Sequence, residues 1–349
     1  MKIAFINDTH FGARNDSPIF LEHFLSYFEE QFFPYLEKHN IKTVFHLGDL
    51  LDRRKYVNFH TLSAVQNRFI KKIEKMGLDF YCVIGNHDTY FRNTNDINSV
   101  KELFGKNMHI ISSPRNIEMK DGVKFAALPW INKSNYQESI DFIKNTDAEY
   151  AIGHLEIAGF QVLRGVKHEE GLDVNVFSKF DRVFSGHFHC KQSDKNVDYL
   201  GTQYQITFND LNERKGFHVF DTDTRDLEYI KSPNKLFYQI GYDDKNYDML
   251  ETEFSDYNKT FVKVIVQNKT NPVMYDSFMQ SLYDCGAYEI GVVEDYSDQQ
   301  NMTSSVEDVS KDTLSLINEE IDKMENIDNK LKLKKMIHDL YLESLTVEE

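Results

Sequence analysis

Five short clusters of chemically able side chains punctuate the first 190 residues. Asp8 and His10 stand one residue apart. Gly48, Asp49 and Asp52 form a GDxxD run, and Gly85, Asn86, His87 and Asp88 a GNHD run. Gly153-His154 and Gly186-His187-Phe188-His189 complete the series. Histidine nitrogens, carboxylate oxygens and one amide oxygen make a mixed donor set without a thiolate. Such a set suits two divalent cations such as Mn²⁺ and differs from the cysteine-rich shells of structural zinc. Taken singly, each cluster has an ordinary reading. Gly, Asn and Asp all favour turns, and a lone Gly-His is more often a hydrogen-bonded histidine than a ligand. The weight lies in the five together, because each follows a short apolar run.

Those runs are the elements that must position the clusters. Strands are expected at 2–7, 43–47, 80–84, 124–128, 150–152 and 182–184, and helical periodicity appears at 19–38, 60–76, 96–104 and 135–144. Gly77 is placed to end the second helix. A hairpin is expected from 216–220 and 227–230. Alternating strands and helices with late antiparallel strands predict an α/β layered domain, in which ligands gather at the carboxyl ends of strands. Four of the five clusters carry a glycine beside the polar group, which permits tight turns and close approach. Farther on, strands at 261–266 and 288–293 enclose a helix at 273–283, a small βαβ unit. A polar stretch follows. Two amphipathic helices are then expected at 313–324 and 330–345, striped with Leu314, Ile317, Ile321, Leu333, Met336 and Ile337.

The formal net charge of the 349 residues is −16, unevenly spread. Residues 1–235 hold 30 Lys+Arg against 32 Asp+Glu, and the remainder 10 against 24. The acidity belongs to the C-terminal third, so a polyanionic substrate is not excluded from the rest, where bound cations would make the site locally positive. No apolar run reaches eighteen residues, which argues against a membrane span. The first residues lack a signal-peptide pattern. Three widely spaced cysteines without a CxxC suit free thiols in a reducing cytoplasm.

In order and spacing, DxH…GDxxD…GNHD…GH…GHxH resembles the calcineurin-like metallophosphoesterase superfamily. With the βαβ unit and helical tail, the chain looks like the SbcD-type DNA repair nucleases. The runs GDLLDRRK (48–55), LPW (128–130) and SGHFH (185–189) are most similar to the T-even-type phage members, the nuclease subunits of phage recombination complexes. The resemblance implies a layered metallophosphoesterase β-sandwich flanked by helices, with a small βαβ cap and C-terminal helices. It divides the chain into a nuclease domain (1–240), a cap and DNA-binding domain (241–296), a linker (297–310) and a helical ATPase-binding segment (311–349).

It also implies roles. Asp8, His10 and His189 would bind one ion, Asn86, His154 and His187 a second, and Asp49 both; the ions would be Mn²⁺, with Mg²⁺ as the alternative. His87 would be catalytic, facing the scissile phosphate. Asp52, the second aspartate of GDxxD, would orient it. Arg53, Arg54 and Lys55 are candidate contacts to a DNA backbone. The implied partners are DNA, an SbcC-type coiled-coil ATPase held by the C-terminal helices, and a second copy meeting helices 60–76 and 96–104. The expected function is a two-metal-dependent exonuclease or endonuclease acting on DNA ends in recombination and double-strand-break repair. The alternative is a phosphoprotein phosphatase or cyclic-nucleotide phosphodiesterase, although a small-substrate enzyme has less need of a cap and helical tail.

Overall fold

The computed structural model describes residues 1–245 and 253–294, together with helical positions 321, 330, 332–334, 336 and 337. The polar stretch 297–310 and most of the two expected C-terminal helices lie outside the described residues. Seventeen strands are described: β1 (Lys2–Ile6), β2 (Thr43–His46), β3 (Asp79–Val83), β4 (His109–Ile111), β5 (Arg115–Glu118), β6 (Lys124–Leu128), β7 (Tyr150–His154), β8 (Gln161–Leu163), β9 (Val166–Lys167), β10 (Arg182–Gly186), β11 (Gln192–Asp194), β12 (Val197–Tyr199), β13 (Gly216–Asp221), β14 (Leu227–Lys231), β15 (Phe237–Asp243), β16 (Phe261–Asn268) and β17 (Glu289–Glu294).

Two six-stranded sheets form the body, ordered β14-β13-β1-β2-β3-β4 and β11-β12-β10-β7-β6-β5. β1 to β4 run parallel, as do β6, β7, β10 and β12. Side-chain alternation explains why the sheets stack. Ile3 and Phe5 of β1, Phe45 of β2 and Val83 of β3 face the second sheet, meeting Phe125, Tyr150, Ile152 and Phe184. Their neighbours Ala4, Ile6, Val44 and Cys82 face outward into a helical layer that supplies Phe24, Phe28, Val65 and Phe69. Ala151 and Val183 do the same on the far side, against Ile143 and Phe177. Both faces of the parallel strands are therefore apolar, which accounts for their short continuous hydrophobic runs. The result is the expected layered α/β sandwich.

The first expected helix is realised as Pro18–Tyr27, a wider π turn at Phe28–Phe32, and Phe33–Lys38. Pro34 has no N–H and its ring crowds the preceding turn, so a widened turn just ahead of it lets the helix pass. The second begins at Phe59, where the Asn58 side chain accepts from His60 N at 2.8 Å, and ends on Gly77 at φ 59°. Beyond the sandwich, β15, β16 and β17 form a three-stranded sheet covered by the helix Pro272–Asp284 through Phe278, Met279 and Leu282. β15 is additional to the expected βαβ unit. It pairs parallel with β16 and starts at Phe237, upstream of the boundary drawn at 240. The chain divides into two compact units, Met1–Val292 and Val293–Glu349. Among the described residues no helix is long and apolar enough to cross a membrane.

Candidate metal centre

The carboxyl ends of β1, β2, β3, β7 and β10 meet at one edge of the sandwich, and all five polar clusters arrive there. Getting the side chains inward requires unusual backbone. Asp8, His10, Asp49 and His187 have φ of 48°, 42°, 56° and 86°, a left-handed region that L-residues rarely adopt and that concentrates at functional sites. The flanking glycines have a local reason. A Cβ on Gly48 would strike the His154 ring, and one on Gly85 would strike the Asp49 carboxylate.

Asp88 ties two of the loops together. Its carboxylate is buried and accepts from Gly85 N and Asp49 N at 2.9 Å each, from Leu50 N at 3.0 Å and from Leu51 N at 3.3 Å. Asn7 holds the neighbouring cluster: its amide donates to Asp8 Oδ2 at 2.6 Å and to Gly201 O at 3.0 Å.

Donor atoms converge in three overlapping groups: Asp8, His10 and His189; Asp49, His154 and His187; and His10, Asp49 and His87, each within 4.8 Å of one another. Asn86 joins the second group, its Oδ1 lying 2.9 Å from His154 Nε2 and 3.1 Å from His187 Nδ1. Asp49 Oδ2 is 3.3 Å from His154 Nε2 and 3.8 Å from His10 Nε2, so one carboxylate faces both sides. All seven sequence-nominated ligands are thus brought together.

The donor set fits divalent cations. His10 and His189 turn their Nε2 atoms toward each other at 3.2 Å. The opposite nitrogen of His10 is 3.1 Å from an Asp52 carboxylate oxygen, and His154 Nδ1 donates to Leu47 O at 2.8 Å. A second partner on the far nitrogen is how metal-bound imidazoles are usually fixed.

Charge follows from the crowding. Burial alone would depress His10, yet the Asp52 hydrogen bond and the Asp49, Asp52 and Asp8 carboxylates raise its pKa to about 10. Burial also opposes charge on His154, and Asp49 overcomes it, giving about 9. Burial keeps His187 and His189 neutral, with pKa values near 3, helped by His154 and His10 respectively. A cation held by His10 and His154 would have to displace the protons they carry.

One expected relationship is redrawn. His87 Nδ1 donates to the main-chain carbonyl of Asp52 at 2.5 Å, while the Asp52 carboxylate stands against His10. A carbonyl can only accept, so the neutral His87 tautomer is set by backbone, and the Asp52 side chain supports a ligand of the first group. Arg53 is drawn in rather than free: it lies 3.2 Å from Asp16 Oδ2, hydrogen-bonds Asn15 and donates to the Tyr56 hydroxyl at 2.8 Å. Arg54 is half-buried and Lys55 exposed.

The calcineurin-like phosphoesterase family model matches residues 1–191. "Exonuclease subunit 1" of Enterobacteria phage T4 is 29% identical over 268 residues, 76% of this chain and 77% of the relative. The SbcD component of nuclease SbcCD from Staphylococcus epidermidis is 25% identical over 302 residues, 78% of this chain and 77% of the relative. The solved structure of a novel archaeal phosphodiesterase aligns with 66% of this chain and 100% of its own, at 15% identity and a TM-score of 0.32. With a family model spanning more than half of its length, the chain belongs to the calcineurin-like phosphoesterase family and is a metal-dependent phosphoester hydrolase.

Proposed function

We propose that the chain is a two-metal nuclease that hydrolyses phosphodiester bonds at DNA ends. The observation carrying this reading is the convergence of seven nominated donors into overlapping groups, with the Asp49 carboxylate between His10 and His154, in a chain similar over three quarters of its length to two proteins named as nucleases. Asp8, His10 and His189 would hold one ion, Asn86, His154 and His187 the other, and Asp49 both. Oxygen and imidazole donors without thiolate favour Mn²⁺, with Mg²⁺ as the alternative. When bound, such ions supply Lewis acidity to the phosphate and make water nucleophilic at neutral pH.

The chain's own contribution centres on His87. With Nδ1 committed to the Asp52 carbonyl, Nε2 is the nitrogen left to exchange a proton with the leaving 3′ oxygen. Burial lowers the His87 pKa, partly offset by Asp49, which makes its charged form a readier donor. Such general acid catalysis contributes about 10²–10⁴-fold. Asp52 steadies both histidines, by carboxylate to His10 and by carbonyl to His87. Beside the site, Leu51, Lys55, Tyr56, Tyr90 and Ile97 line a shallow groove. Lys55 is the cation there best placed for a DNA phosphate, since Arg53 is committed to Asp16.

The relatives' names, an exonuclease subunit of a phage and a subunit of nuclease SbcCD, support a nuclease that works as one subunit of a complex. The resemblance of its motifs to SbcD-type DNA repair nucleases extends this to an SbcC-type ATPase partner, a role in recombination and break repair, and, on the phage side, work in the host cytoplasm. A homodimer is supported by apolar side chains left on the surface near two helices: Phe59 is 85% exposed, Tyr56 55% and Ile97 49%. The test is substrate choice with Mn²⁺. Duplex and single-stranded DNA should be degraded far faster than p-nitrophenyl phosphate or cyclic nucleotides are hydrolysed. Preference for the small substrates would favour the phosphatase or cyclic-nucleotide alternative.

A further inference from the structure

Lys215 is an anomaly: a lysine 5% exposed, beside an aspartate 4% exposed. Burying an ion pair is expensive and gives little net stability, so its retention asks for another reason. Its three donors are all used. Nζ lies 2.5 Å from Asp210 Oδ1, 2.7 Å from Thr202 Oγ1 and 3.0 Å from His189 O. The last is the carbonyl of a nominated ligand of the first ion, and Thr202 N donates to the same oxygen at 3.2 Å. The second Asp210 oxygen accepts from Ile206 N at 2.8 Å and Thr207 N at 2.9 Å. Lys215 and Asp210 therefore pin both ends of the segment running from Thr202 to Thr207.

That segment contains no metal ligand, yet it touches the loop bearing the other two. The Tyr204 hydroxyl donates to Thr9 O at 2.7 Å, between Asp8 and His10, and its ring stacks on Phe24 at 4.0 Å. Gly201 O receives the Asn7 amide that also holds Asp8. Gly201 itself has φ +70°, and a Cβ there would come within 2.8 Å of Lys191 N and 3.0 Å of His189 O. Most contacts to the second group come from other parts of the chain, Leu47 O for His154 and the Asp88-clamped loops for Asn86 and Asp49; a direct link to the first group is His187 N, which donates to Asp8 Oδ2 at 3.0 Å.

We propose that the buried Lys215–Asp210 pair is a positioning device for the first metal ion, holding His189 by its carbonyl and, through residues 201–207, the Asp8–His10 loop. The inference rests on the two-ion reading. It makes the two sites unequally dependent on the pair, since the pair reaches the first directly and the second indirectly, through the Asp8–His187 hydrogen bond and the shared Asp49. Loss of an outer partner of this kind typically weakens metal binding by about 10–100-fold.

The experiment is Mn²⁺ titration of the metal-free full chain by calorimetry, with electron paramagnetic resonance of the loaded protein. Wild type, Lys215→Met and Asp210→Asn are compared, and thermal melts of each are taken without metal. The expected result in Lys215→Met is a first ion weakened about tenfold or more, a second ion weakened distinctly less, and an isolated-ion spectrum replacing that of a coupled pair. Asp210→Asn, which keeps an acceptor for Ile206 and Thr207, should show the same selective loss, less severely. Wild-type affinity for both ions in Lys215→Met, equal weakening of both, or outright unfolding of both variants would overturn the positioning role. A wild-type chain taking only one ion would sink the two-ion reading itself, and this inference with it.

Discussion

At the scale of single residues, the proposed mechanism separates groups that hold from groups that react. His87→Ala should leave Mn²⁺ uptake intact while lowering kcat on a DNA substrate by about 10²–10⁴-fold, with a smaller loss on bis-p-nitrophenyl phosphate, whose leaving group needs no proton. Parallel metal titration and rate measurement check this; loss of the ions would make His87 a ligand, an option its proximity to His10 and Asp49 leaves physically available. Asp88 has a different role. Replacing it by alanine orphans four buried N–H groups, of Gly85, Asp49, Leu50 and Leu51. Asp88→Ala should cost about 3 kcal/mol or more of stability in urea unfolding, and a change under about 1 kcal/mol would contradict the clamp. The convergence of these five clusters was legible in the sequence because each follows a short apolar strand and carries donor side chains of one chemistry. The Asp52 contacts were not, since a side chain and its own carbonyl can serve different partners, and spacing does not say which. Lys215 was hidden for a related reason: in the run Glu213-Arg214-Lys215-Gly216 it reads as one more solvated cation.

At the scale of elements, the parallel strands were legible from their apolar runs, and the helices from their periodicity. What escaped were strands of two to four residues such as β4, β5, β9, β11 and β12, too short to carry a pattern, and β15, whose sequence Phe-Tyr-Gln-Ile-Gly-Tyr-Asp mixes apolar and polar positions. Two of the legible elements carry an acid-stability prediction. His218 of β13 and His23 of the helix Pro18–Tyr27 are both held neutral by burial, with pKa values near 3 and near 4. Their folded values lie below the unfolded value of about 6.5, so between the two the unfolded chain binds more protons. Stability should be unaffected by these groups above about pH 6.5. It should fall as pH drops below that, by up to about 1.4 kcal/mol per pH unit per histidine. His218→Gln should flatten the slope of unfolding free energy between about pH 6 and 4 by close to one proton. An unchanged slope would mean that His218 is charged in the folded protein.

At the scale of the whole molecule, the catalytic body and the C-terminal segment should be separable, because Met1–Val292 and Val293–Glu349 are distinct compact units. Truncation of residues 305–349 should spare metal-dependent cleavage of a small phosphodiester and abolish pull-down of the proposed SbcC-type ATPase. Complex formation by the truncated chain would move the partner-binding surface elsewhere. The body's architecture follows from its chemistry: two stacked sheets bring the ends of five distant strands to one edge, and no single stretch of chain could assemble such a site alone. The most direct test of the account is a manganese-soaked crystal examined by anomalous scattering. It should show two ions, one among Asp8, His10 and His189 and one among Asn86, His154 and His187, with Asp49 touching both. A single ion, or two with no shared carboxylate, would contradict it.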